Sequence, residues 1–118
     1  MKQMFIYITD TIEFIHRYID APDEVYYLRY PHRHLAHIKV TIEVYHNDRE
    51  LEFILVKHEL QAYMKTLVSQ LGDNCSCEMF ADRLLSYLQE HYGTNRDIEI
   101  VVNEDDENGC RLVYRKEA

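Results

Sequence analysis

Tryptophan is absent from this 118-residue chain, and proline and glycine are scarce, at two and three residues. Such scarcity excludes a collagen-like or Pro/Gly-rich disordered chain and leaves room for long, uninterrupted strands and helices. Basic residues are in deficit too, with 13 Lys and Arg against 21 Asp and Glu, a formal charge of −8. That balance repels phosphate backbones and disfavours sequence-independent binding to DNA or RNA, while a small anionic ligand in a local pocket is still permitted. No apolar run approaches the ~20 residues needed to cross a bilayer. Met1 to Ile8 has one positive charge and a short apolar run that Thr9 and Asp10 interrupt, which predicts neither a signal peptide nor a transmembrane helix. Three cysteines, with Cys75 and Cys77 too close together for an unstrained bridge, predict free thiols and a cytoplasmic location. Gly-rich phosphate loops, Gly-x-Ser-x-Gly and Cys-x-x-Cys are missing as well.

The chain is 47% hydrophobic, enough for one domain over residues 1–118 with a core that needs no disulfides. Met4 to Tyr18, rich in Ile, Phe, Tyr and Thr, reads as one long strand or as two joined at Asp10-Thr11. Asp20 to Pro31 contains both prolines with Tyr26, Tyr27 and Tyr30, and reads as a long, partly extended connection. From His34 onward, Ala36, Ile38, Val40, Ile42 and Val44 share one face and Leu35, His37, Lys39, Thr41 and Glu43 the other, the pattern of a half-buried strand. His46 to Arg49 supplies a turn.

The period then changes. Phe53, Val56, Leu60, Met64, Leu67 and Leu71 recur at steps of three and four and predict a helix that ends at Gly72 in the left-handed conformation. Ser76 can cap a second helix, with Phe80, Ala81, Leu84 and Leu88 on one face and Gly93 as its stop. Ile98, Ile100 and Val102 mark a third strand, Asn103 to Asn108 an acidic turn before Gly109, and Cys110 to Tyr114 a last strand. The expected fold is α+β, in the order ββααββ, with a four-stranded antiparallel sheet and both helices on one face. What the helices leave uncovered predicts a homo-oligomer built by sheet edges pairing between subunits.

Three of the seven histidines lie within Pro31-His32-Arg33-His34-Leu35-Ala36-His37. On a strand His32 and His34 project to one face, about 6.6 Å apart along the chain, and His37 points the other way. The neighbouring strand offers His16. Three imidazoles with an open fourth position describe a catalytic or ligand-binding zinc site. The same residues also suit a pair of polar side chains on a wet face, with His16 as a core histidine bonded to a carbonyl.

Taken together these segments resemble the 6-pyruvoyl-tetrahydropterin synthase and 6-carboxytetrahydropterin synthase family, which has the tunnelling fold. Phe14-x-His16-Arg17 is similar to the family's Phe-x-x-x-His-Arg-Leu with one residue fewer, and His32-Arg33-His34 to its His-Gly-His. Glu52-Phe53-x-x-Val56-Lys57 looks like its Asp-Phe-x-x-Leu-Lys, and Ser76-x-Glu78-x-x-Ala81 like its Thr-x-Glu-Asn-x-Ala. Ile100-x-Val102-x-Glu104 resembles the strand ending in the pterin-anchoring glutamate, and Tyr114 the closing tyrosine. The resemblance covers about the whole chain. It implies zinc on His16, His32 and His34, a pterin-, purine- or nucleotide-like ligand held by Glu104, and a trimer or hexamer closing into a β-barrel. A carboxylate suits that ligand because it accepts two parallel N–H bonds from an amino-pyrimidinone edge.

Departures from the family pattern bear on activity. Asp20 to Pro31 has no proton-handling cysteine, and the loop between the helices has Asp73-Asn74 where an Asp-His pair is expected. Glu24 or Tyr26 can supply an acid or base in their place, Tyr30 a pocket wall, and Arg33 a charge for a phosphate or carboxylate on the ligand. The expectation is a divergent member that keeps the zinc site and glutamate but lacks the usual acid/base residues. The alternatives are an active zinc-dependent pterin lyase using non-standard residues, or a non-catalytic ligand-sequestering or assembly protein.

Overall fold

Period-two patterning produces one unbroken strand, β1 (Met4–His16), in the computed structural model, which describes residues 1–117. Asp10 and Thr11 do not divide it, because their backbone stays in the ladder opposite Ile38 and His37. The following connection is less extended than its prolines suggest. Asp23–Arg29 forms 3-10 turns kinked at Val25. Extended Pro22 precedes them, acidic Asp23 and Glu24 occupy the first turn, and Arg29 donates back to the Asp23 carboxylate (2.8 Å) and the Ala21 carbonyl (2.9 Å).

Strand β2 (His32–Val44) pairs antiparallel with β1 along its whole length, from Met4↔Val44 to His16↔His32. It starts two residues before the alternation noted at His34, because His32 has a cross-strand partner in His16. Strands β3 (Ile98–Glu104) and β4 (Asn108–Tyr114) complete an antiparallel sheet of order β1-β2-β3-β4. β3 covers only Ala36 to Ile42 of β2, so the end of the β1–β2 hairpin bearing His16, His32 and His34 extends past the third strand.

Helices α1 (Phe53–Leu71) and α2 (Cys77–Tyr92) sit on one face of this sheet. The Glu52 side chain accepts from the Ile54 N–H and Ser76 Oγ from the Met79 N–H, each capping its helix. Val56, Leu60, Met64 and Leu67 of α1, with Phe80, Ala81, Leu84 and Leu88 of α2, meet the even-numbered side chains of the strands, among them Ile38, Val40, Ile42, Ile98, Ile100 and Val102. Phe53, expected on the buried face, is 53% exposed on the first turn of α1. Gly72 and Gly93 end the helices at φ +72° and +88°. Gly109 has a different role: a Cβ there would lie 2.1 Å from the Val102 carbonyl oxygen, so only glycine lets β4 approach β3 at the turn. Among the described residues no helix is long and apolar enough to cross a membrane.

Candidate metal centre

Strand register brings the three histidines together. His16 lies directly across from His32, and His34 follows two residues along β2 on the same, helix-facing side. The ring centroids are 4.6, 4.7 and 4.7 Å apart, with ring planes crossed at 71–89°. One nitrogen from each lies within 4.8 Å of the others, so the group can hold a metal ion.

The outer nitrogens decide which atoms face inward. His16 Nδ1 contacts the Cys75 carbonyl at 2.9 Å, His32 Nδ1 the Tyr30 carbonyl at 2.8 Å, and His34 Nδ1 the Asp105 carboxylate at 2.6 Å. Each of those oxygens only accepts, so each Nδ1 carries a proton, and in the neutral imidazole each Nε2 keeps its lone pair. The Nε2 atoms of His16 and His34 are buried and have no hydrogen-bond partner. Unpartnered buried nitrogens are costly in a stable fold, and a bound cation removes that cost. Carbonyl–histidine and carboxylate–histidine pairs are also what orients imidazoles around a metal. The donor set therefore fits a borderline transition metal.

Four different segments build this corner. The loop after α1 reaches it because the Arg17 N–H donates to the Asp73 carbonyl (2.6 Å) and the Ile19 N–H to the Asn74 side chain (3.1 Å), which brings Cys75 up to His16. Asp105 follows β3 with φ +56°, and its second oxygen accepts from the Leu35 N–H at 2.9 Å. Glu104, at the end of β3 opposite Ala36, turns its carboxylate over the triad, 3.3 Å from His16 Nε2 and 3.1 Å from His34 Nε2. A cavity of about 590 Å³ opens beside it, with His16, His32, Ser76, Cys77 and Glu104 on its walls. Cys77 Sγ lies 3.7 Å from Glu104 Oε1. Burial, with the neighbouring Glu104 charge, pushes this thiol up to about 12, so it stays protonated near neutral pH.

Other candidates lie outside this arrangement. Arg33 points to the opposite face of the sheet and pairs with Glu13 at 2.8 Å. Glu24, Tyr26 and Tyr30 are exposed on or beside the 3-10 segment, and none of their side chains lines the cavity. Tyr30 contributes its backbone carbonyl instead. Cys75 takes part in the same way, and neither carbonyl has a side-chain signature that a sequence could display. Asp105 had one signal, its place beside Glu104, but the acidic run Glu104 to Glu107 does not single it out. In comparisons with protein-family models and with curated proteins, no match to this chain was found.

Proposed function

We propose that the protein is a divergent member of the 6-pyruvoyl-tetrahydropterin synthase and 6-carboxytetrahydropterin synthase family that holds zinc on His16, His32 and His34. It binds a pterin-, purine- or nucleotide-like molecule in the adjoining cavity, at a subunit interface of a trimer or hexamer closed into a β-barrel. One observation carries the metal part of this reading: one nitrogen from each of the three imidazoles lies within 4.8 Å of the others, while every Nδ1 is engaged by an oxygen acceptor. Three imidazoles with room for one more donor form a set that zinc takes, and when bound it would act as a Lewis acid toward an oxygen or nitrogen of the ligand.

The chain's own residues set the ligand's chemistry. The Glu104 carboxylate reaches the cavity and offers two acceptor oxygens to a flat amino-pyrimidinone edge. Leu28 and Met79 supply apolar wall. Binding without turnover is the preferred reading because neither Glu24 nor Tyr26 reaches the cavity within this chain. The lyase reading has one observation in its favour, the Cys77 thiol at the cavity wall beside Glu104.

Elemental analysis of purified protein is expected to find one zinc per chain, lost on His32→Ala. Fluorescence titration should detect pterin binding, and light scattering a trimer or hexamer. Absence of zinc, with His32→Ala as stable as the parent, overturns the metal reading, and a monomer overturns the barrel. Incubation with dihydroneopterin triphosphate is expected to leave it unchanged, whereas sustained formation of a new pterin species would establish the lyase.

A further inference from the structure

Glu104 stands closer to the histidines than a group serving only the small molecule needs to. Its Oε1 is 3.3 Å from His16 Nε2 and its Oε2 is 3.1 Å from His34 Nε2, yet neither nitrogen has a hydrogen-bond partner. The contact is therefore not an N–H donating to a carboxylate. In the neutral tautomer that donates through Nδ1, nitrogen lone pairs face carboxylate oxygens across a partly buried gap, an arrangement that repels itself unless a cation lies between them.

Distance supports the same conclusion. Two ligands of a tetrahedral ion with bonds of about 2.0–2.1 Å are separated by about 3.3 Å, and each carboxylate oxygen stands at about that distance from one histidine, Oε1 from His16 and Oε2 from His34. Backbone geometry holds the carboxylate in place, since Glu104 pairs with Ala36 in the ladder, two residues along β2 from His34. Asp105, the next residue, clamps His34 from its other side.

We propose that Glu104 is the fourth ligand of the metal, so that the centre is a closed three-histidine, one-carboxylate site when the cavity is empty. This rests on the metal reading above and changes what the site does. A small molecule reaches the metal only by displacing the carboxylate, which then becomes free to accept from the incoming N–H groups. The Cys77 thiol, 3.7 Å from Oε1, is the neighbour on the cavity side that can donate to the carboxylate as it stands over the triad.

The test uses the full chain stripped of metal and titrated with zinc and with cobalt(II). Glu104→Gln is expected to weaken zinc binding by at least about tenfold in competition with a chromophoric chelator, and to alter the visible cobalt bands. Wild-type affinity together with a wild-type cobalt spectrum in that variant overturns the proposal while leaving the three-histidine site standing. A wild-type protein that develops no cobalt bands removes the metal reading, and this inference with it. The zinc-loaded wild-type crystal structure decides the matter without any variant. A Glu104 oxygen at about 2.0–2.2 Å from the ion supports the assignment, and a fourth position taken by water with Glu104 beyond bonding distance overturns it.

Discussion

Asp105 shows how much a single exposed side chain can contribute. Its backbone is left-handed at φ +56°, a conformation that aspartate tolerates better than most residues, and this aims one oxygen at His34 Nδ1 and the other at the Leu35 N–H. The hydrogen bond to His34, then that from Leu35, holds its carboxyl below the usual range. Removing such an outer partner typically costs a factor of 10–100 in metal affinity. Asp105→Ala is accordingly expected to lower zinc affinity by about that factor with no loss of secondary structure by circular dichroism. Asp105→Asn, which keeps an acceptor, should fall in between, and zinc affinity unchanged in Asp105→Ala would remove the residue from the centre.

Elements place these residues. The length of the β1–β2 hairpin carries the histidines beyond β3, and α2 begins at Cys77 on the cavity wall because Ser76 caps it. Ser76 Oγ accepts from the Met79 N–H at 3.1 Å. Ser76→Ala is expected to lower stability by about 1 kcal/mol in urea denaturation, with its effect concentrated on α2. A variant as stable as the parent would mean that packing of Phe80, Ala81 and Leu84 alone holds the start of that helix. The patterning of both helices was legible in their apolar spacing. The 3-10 turns after β1 were not, because Arg29 stabilises them through contacts with Asp23 and Ala21 that no local propensity encodes.

At the scale of the whole molecule, a second polar cluster lies at the other end of the β1–β2 hairpin. Opposite the candidate metal centre, Arg96 makes a two-pronged pair with Glu50 (2.7 and 3.1 Å) and also donates to the Glu43 carbonyl (3.0 Å). Nearby, Lys116 and Gln3 hold Glu43, which is 3% exposed. The Arg96 hydrogen bonds, with the Tyr45 N–H, depress Glu50 from 4.5 to about 2. A carboxyl depressed by folding stabilises the native state above its unfolded value and loses that contribution as pH falls through the folded one. Glu50→Gln should therefore be less stable than the parent at pH 7 by about 1.5–3 kcal/mol, and the gap should close between pH 4.5 and about 2. Urea midpoints measured across that range check it, and a gap independent of pH would show that the pair contributes nothing through charge.

The molecule is also long for its mass, 50 × 27 × 23 Å with a radius of gyration of 15.6 Å, against about 13.5 Å for a compact domain of this length. Phe5, Tyr7, Ile15, Leu35 and Val113 stand exposed on the face away from the helices. Those features support the proposed barrel, in which the β1 and β4 edges find partners on neighbouring subunits.

Periodicity by itself determined the strand–strand–helix–helix–strand–strand order, the buried faces and the His-x-His pair, because each is a relation between near neighbours in the chain. The neighbouring strand offered His16, and the family resemblance marked Glu104. Tertiary structure alone decided how they are arranged. Register sets His16 across from His32, the overhang of the hairpin beyond β3 leaves a corner for the turn at Asp105, and the loop at Asp73 and Asn74 brings in the Cys75 carbonyl. The Glu104 carboxylate faces the histidine nitrogens for the same reason. Groups distant in sequence become one site only when the backbone has folded, and the carbonyls that orient the imidazoles belong to the backbone itself.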